Sequence, residues 1–265
     1  MIRPKKSLGQ NFLIDQNIIN KIIKIADVKN NNIVEIGPGT GNLSKKIIDN
    51  QPNNFFLIEK DNKLAETLKQ KFILYKNVKV INKDILDFNL ENNIKKNSII
   101  LGNLPYNISS QILAKLIKFN TWLPNYKKLI LMFQKEVADK ILAKQKDPDY
   151  GRLSILTNCR LKVTEYFNVS KNCFYPRPKV QSTVLVFEPI INKTFEVKNI
   201  NNLEKITHLF FSNKRKMVNK VFKKIFKNYS EVASRYGVDL TWRPSQLTEK
   251  MYYKITAHLE KKNKS

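Results

Sequence analysis

A chain of 265 residues with 42% hydrophobic content can build a sizeable core, as one large domain or two smaller ones. Its formal net charge is +26, from 48 Lys plus Arg against 22 Asp plus Glu, and a field of that sign attracts polyanions. No apolar run is long enough for a membrane helix, and Cys159 and Cys173 form neither a zinc-like cluster nor a CxxC pair.

The first stretch, "MIRPKKSLGQNFLID", lacks the uninterrupted apolar core of a signal peptide. A cytoplasmic chain with free thiols is therefore expected. "DQNIINKIIKIADV" places Ile18, Ile19, Ile22, Ile23 and Ala26 at helical spacing behind Asp15, a cap residue. "NNIVEIGPGTGNLSKKII" then reads as a buried strand over Ile33 to Ile36, a glycine loop and a helix. A second strand and helix follow in "FFLIEKD" and "NKLAETLKQKF", and a third strand with an acidic turn in "VKVINKDILDF". "SIILGNLPYN" is a fourth strand before the helical "SSQILAKLIKF", and "KKLILMFQ" a fifth before "KEVADKILAK". This strand–helix rhythm predicts an α/β domain on a mostly parallel sheet.

After Pro148 the rhythm changes. "GRLSILTNCRL" reads as a short helix, and "KVTEYFNV" and "KVQSTVLVFEP" as a closing antiparallel pair around the proline-punctuated "SKNCFYPRPK". From about Asn192 the chain turns polar, and "NLEKITHLFF", "NKRKMVNKVFKKIF", "SEVASRYG" and "TEKMYYKITAHLEK" are helical candidates. The expected domains are residues 1–191 and a small helical domain over 192–265.

Chemistry concentrates at the strand ends. Gly37, Gly39 and Gly41 alternate after the first strand and permit tight turns and close ligand approach. The spacing departs from the dinucleotide fingerprint, because Asn42 occupies the position of the third glycine. Glu35 is an acidic group beside the loop that disfavours a pyrophosphate. Glu59 ends the second strand, where a carboxylate accepts from ribose hydroxyls. Asp84 suits an adenine amino group, with Ile85 against the ring. Together they fit an adenosyl ligand without phosphates, S-adenosylmethionine. Each alone has a plainer reading: a tight turn, an exposed charge, a helix cap.

"NLPY" lies beyond the fourth strand. Pro105 stiffens the turn and holds Asn103 and Tyr106 in place. An adenine N6 amine is a poor nucleophile, since its lone pair is delocalised into the ring. The Asn103 side-chain oxygen and the Leu104 carbonyl are candidates to polarise its N–H bonds. Tyr106 is a stacking surface for an extruded base. Phe174 is the favoured second aromatic wall, Tyr175 the competitor, and a core aromatic the plain alternative. Arg177 and Lys179 are candidate contacts for a nucleic-acid backbone. Lys214, Arg215, Lys216, Lys220, Lys223 and Lys224 surround an apolar stripe of Met217, Val218, Val221 and Phe222. An A/T-rich genome accounts for part of this Lys, Asn and Ile abundance, but the electrostatic consequence stands. No metal ligand set is apparent, and neither Cys has an acid–base partner.

The stretches "GQNFLID", "EIGPGTGNLS", "NLPYNIS", "FQKEVADKI", "YGRLSIL" and "FYPRPKVQSTVL" cover Gly9 to about Glu188. In this order they resemble the ribosomal RNA adenine dimethylases. The resemblance implies a Rossmann-like class I methyltransferase domain with a small C-terminal helical domain. It implies Gln10, Asn11, Leu13, Gly37, Gly39, Glu59, Asp84 and Asn103 around the cofactor, beside the Ile85 read from the residues. It implies Asn103, Leu104, Pro105 and Tyr106 as the target-base motif, with Phe174 as stacking partner. It further implies dimethylation of two adjacent adenosines near the 3′ end of small-subunit rRNA, late in small-subunit maturation. The expected partner is that rRNA within a pre-30S particle, and the free protein is expected to be monomeric. The rivals are a large-subunit dimethylase of the antibiotic-resistance type, a DNA adenine methyltransferase and a non-catalytic assembly factor.

Overall fold

The computed structural model describes residues 4–5, 9–191 and 197–262. The chain forms two compact units, Met1–Ala138 with Val163–Pro189, and Asp139–Lys162 with Ile190–Ser265. One division thus falls beside the expected boundary, whose far side begins in residues 192–196, outside the described residues. The other differs from the sequence reading: residues 139–162 group with the tail rather than with the first domain.

In the first unit a two-residue strand, β1 (Phe12–Leu13), precedes helix α1 (Gln16–Ala26). Asp15 caps α1 by accepting from the Ile18 N–H at 3.0 Å, and Ile19, Ile22, Ile23 and Ala26 are its buried stripe. The alternating run follows: β2 (Asn32–Ile36), α2 (Asn42–Asp49), β3 (Asn54–Glu59), α3 (Asn62–Lys71), β4 (Val78–Asn82), the short α4 (Leu90–Asn93), β5 (Ser98–Asn103), α5 (Ser109–Ile117) and β6 (Tyr126–Gln134). Helix α6 (Lys135–Leu142) begins in this unit. After α7 (Arg152–Arg160) of the second unit come β7 (Leu161–Val169), the two-residue β8 (Phe174–Tyr175) and β9 (Ser182–Pro189).

The described sheet has the order β4-β3-β2-β5-β6-β9-β7. Strands β4 to β6 pair in parallel, and β9 runs antiparallel to β6. Ile33, Val34 and Ile36 of β2 and Ile99, Ile100 and Leu101 of β5 are buried, so both strands are covered on both faces, with Glu35 the polar residue inside the β2 run. Chain order reverses between β2 and β5, and ligands of open α/β sheets bind beyond the strand ends at such a reversal. Gly37 and Leu104 directly follow those two strands.

In the second unit α7 is joined by α8 (Ile200–Phe211), α9 (Asn219–Ile225), α10 (Tyr229–Arg235) and α11 (Glu249–Lys262). Its core includes Leu203, Phe210, Phe222, Tyr252 and Ile255. The Tyr253 hydroxyl donates to the Ile155 carbonyl at 3.0 Å, and the Asn158 amide to the Glu249 carboxylate at 2.7 Å. Glu260 accepts from the Lys198 and Asn199 N–H groups at 2.7 and 2.9 Å and so secures the approach to α8. The helix expected over "NKRKMVNKVFKKIF" is shorter than predicted. The Val218 and Asn219 N–H groups donate to the Trp242 and Leu240 carbonyls, so α9 starts only at Asn219. Lys214, Arg215 and Lys216 lie in a turn, not on a helix face. Val218 and Phe222 are buried, whereas Met217 is exposed, so the expected stripe is partial.

Candidate active site

One cavity opens at the reversal, lined by the glycine loop and by the ends of β2, β3 and β5. Gly37, Gly39 and Gly41 have φ of +69°, +58° and +76°, the left-handed region that glycine adopts freely. A Cβ on Gly39 would stand 2.7 Å from the Phe12 ring, so that ring is seated on bare backbone. The Asn42 amide donates to the Leu13 carbonyl at 2.8 Å and ties β1 to the start of α2. Gln10, Asn11, Leu13, Gly37, Gly39, Glu59, Asp84, Ile85 and Asn103 all line this cavity.

Its carboxyl groups differ in state. Glu59 is buried and accepts from the Gly39 and Asp61 N–H groups at 3.0 and 2.9 Å. It therefore holds the glycine loop as well as lining the cavity. Burial raises its pKa, partly offset by those two N–H donors. Glu35 is 2% exposed and accepts from the Ser44 hydroxyl at 2.6 Å. Burial, reinforced by the Glu59 charge and offset in part by Ser44 and Lys71, pushes its pKa up to about 8. At pH 7 Glu35 keeps its proton, so the repulsion of pyrophosphate expected from it is not supplied by its charge. Asp84 is the opposite case. Burial acts to raise its pKa, but the Lys60 ammonium at 2.6 Å and the Leu86 N–H hold it below the usual carboxylate range.

On the β5 side, the Asn103 amide nitrogen donates to the Asn11 carbonyl at 2.7 Å. A carbonyl only accepts, so this bond fixes the amide and leaves the Asn103 oxygen as the group free to turn elsewhere. Leu104 is buried, and the Ile108 N–H donates to the Pro105 carbonyl at 3.1 Å to close the turn. The Tyr106 hydroxyl lies 2.6 Å from the Ser182 oxygen, at the start of β9. Burial raises the phenol pKa, with the Ser182 bond opposing. Asn103, Leu104, Pro105 and Tyr106 all line the cavity.

Phe174 does not. β8 pairs antiparallel with β1 in the register Leu13↔Phe174 and Phe12↔Tyr175. Opposite residues of a ladder share a face. Phe174 therefore enters the buried core cluster with Leu13, at 3% exposure, while Tyr175 is 56% exposed. Arg177 and Lys179 are exposed on the following segment. Phe12, Asn42 and Ser182 carry structural tasks here that the sequence reading did not assign. Asn42 and Ser182 had a signal, a polar residue at the first position of a helix and of an apolar strand. Among the described residues no group of His, Cys, Asp and Glu could hold a metal ion, and no helix is long and apolar enough to cross a membrane.

Known proteins share both the sequence and this architecture. A profile described as ribosomal RNA adenine dimethylase matches residues 1–261. The ribosomal RNA small subunit methyltransferase A of Pelagibacter ubique (strain HTCC1062) is 44% identical over 262 residues, covering 98% of both chains. The protein of the same name from Malacoplasma penetrans (strain HF-2) is 37% identical over 254 residues, 94% of this chain and 90% of its own. Among solved structures, a dimethyladenosine transferase from Plasmodium falciparum superposes with a TM-score of 0.76 at 27% identity, over 96% of this chain and 98% of that one. The 23S rRNA methyltransferase ErmE shares the fold, with a TM-score of 0.68 at 22% identity over 94% and 100%.

Proposed function

The chain belongs to the ribosomal RNA adenine dimethylase family, and on that premise we propose that it transfers methyl groups from S-adenosylmethionine to N6 of two adjacent adenosines near the 3′ end of small-subunit rRNA. The expected setting is a maturing small subunit in the cytoplasm, met by a free monomer. The small-subunit methyltransferases among its relatives favour this target over a large-subunit one.

The residues present suit this cofactor. Gly37 and Gly39 leave bare backbone beside the cavity, Glu59 supplies carboxylate oxygens at the end of β3, and Ile85 supplies an apolar surface. When bound, S-adenosylmethionine supplies an electrophilic methyl group on a cationic sulfur. Gln10, Asn11, Leu13 and Asp84 complete its surroundings.

The protein's own task is to present the amine. Tyr106 holds the base by stacking, and Ser182 positions the ring through its hydroxyl. In the first transfer the Asn103 oxygen and the Leu104 carbonyl accept from the two N6 hydrogens and favour a nitrogen whose lone pair points outward; one proton leaves to solvent once the nitrogen carries the methyl group, and a single N6–H remains to be held in the second transfer. Orientation and electrostatics do most of this work, with no strong base needed. Arg177, Lys179 and the turn of Lys214, Arg215 and Lys216 take backbone phosphates.

One observation carries the reading: the bond from the Asn103 amide nitrogen to the Asn11 carbonyl, which leaves the oxygen as the acceptor that this cavity-lining side chain offers. Asn103→Ala should lower the single-turnover rate of methyl transfer by at least about a hundredfold, the scale of one lost transition-state contact, with little change in subunit affinity. The assay uses unmethylated small subunits and labelled S-adenosylmethionine, with the modified nucleotides mapped. Transfer at the parental rate by a folded variant defeats the mechanism. Label at other nucleotides defeats the target.

A further inference from the structure

The segment between β8 and β9 is anchored to the cavity at both ends. At one end β8 pairs with β1, and Phe12, opposite Tyr175, is the ring seated on Gly39. At the other end Ser182, fully buried, is bonded to the Tyr106 hydroxyl. Between these anchors the backbone is tied down again: the Lys135 N–H donates to the Gln181 carbonyl at 2.9 Å, and Pro178 is buried. The outer side is different. Tyr175 is 56% exposed, and Arg177 and Lys179 are exposed beside it.

An aromatic ring left in solvent loses the gain of burial, and here the alternation of the ladder sends the neighbouring Phe174 inward instead. Tyr175 is the ladder partner of Phe12, which lines the cavity, and does not line it itself. A ring flanked by two cations on a braced backbone is the combination that single-stranded nucleic acid requires. Bases stack on the ring whatever their sequence, and phosphates meet the cations.

We propose that Tyr175, Arg177 and Lys179 form a platform for the single-stranded RNA next to the target adenosine, with Tyr175 stacking on the neighbouring base. The proposal rests on the reading of the cavity as the target-base site. It assigns Tyr175 a part in gripping the strand and none in the chemistry.

The test uses the full chain, unmethylated small subunits and saturating S-adenosylmethionine. Tyr175→Leu should raise KM for subunits about tenfold, the scale of one lost base–aromatic stack, and leave kcat near the parent's. Tyr175→Phe should behave as the parent, since only the ring is needed. The paired change Arg177→Ala with Lys179→Ala should flatten the dependence of log affinity on log salt by about 1.4, two single-strand phosphates at about 0.7 each. Cofactor affinity and thermal midpoint should not move in any variant. A short single-stranded RNA containing adjacent adenosines should bind Tyr175→Leu more weakly than it binds the parent.

An unchanged KM for Tyr175→Leu overturns the platform. So does a Phe variant as weak as the Leu variant, or a KM change matched by loss of cofactor affinity. A defect on subunits that is absent with naked RNA overturns it too, since the surface would then meet a ribosomal protein. If the parent itself transfers no methyl group, the functional reading falls and takes this inference with it. A competent parent with unaffected variants sinks the inference alone.

Discussion

Glu35 shows how position overrides residue type. The same carboxyl that is ordinarily ionised at neutral pH keeps its proton here, because β2 buries it and the Ser44 hydroxyl offsets that burial only in part. The consequence for stability has a definite sign. Its pKa rises from 4.5 to about 8 on folding, so between those values the folded chain binds the proton that the unfolded chain has released. This contribution is complete below 4.5 and is lost as pH climbs through about 8. A difference of one in pKa is worth about 1.4 kcal/mol, so even a third of the full effect is measurable. Glu35→Gln should flatten the fall in urea midpoint between pH 5 and pH 8 and be the more stable chain at pH 8. A parent whose midpoint does not fall across that interval would refute the protonated state. Asn103 and Tyr106 were legible at this scale, because a proline between them announces a fixed turn. The polar start of β9 marked Ser182, but its bond to Tyr106 was not legible, since the two are 76 residues apart. That Phe174 packs inward and Tyr175 outward was not legible, because it depends on a register that two residues cannot advertise.

The glycine loop makes the element-scale case. Its turn is left-handed at three positions, and at Gly39 the Phe12 ring closes the remaining space. Gly39→Ala meets both obstacles. The backbone strain alone costs about 1–2 kcal/mol. The ring at 2.7 Å must then move, and with it the β1 end that borders the cavity. We expect a lower thermal midpoint and S-adenosylmethionine binding weakened at least about tenfold, the factor that about 1.4 kcal/mol gives. Calorimetric titration checks this, and parental affinity in Gly39→Ala would show that the loop tolerates a side chain. Most elements were readable from sequence. Buried parallel strands appear as apolar runs, and helices carry their own period. The start of α9 was hidden, because backbone bonds to Leu240 and Trp242 set it rather than any local signal.

Across the whole molecule, charge and connectivity matter most. Reversing Lys214, Arg215 and Lys216 to Glu changes three charges by two each and takes +26 to +20. The long-range attraction for RNA therefore survives, and any large effect must come from phosphates that this turn itself meets. Subunit affinity should fall at least about tenfold, and the salt slope by about 2, near 0.7–0.9 per phosphate. Matching slopes in variant and parent would make the turn a solvated feature. Connectivity has a separate consequence. The second unit is built from two stretches of chain, with residues 163–189 of the first unit threaded between them. Helix α7 is made early, but it packs against the later α8, and its bonds to Tyr253 and Glu249 form only when α11 arrives. The tail is therefore not a detachable module. A clip before residue 190 would strand α7 on the wrong fragment, and during synthesis the first unit has all its strands long before the second can close. In a growing chain the unit that carries the cavity would be assembled first and the helical unit last.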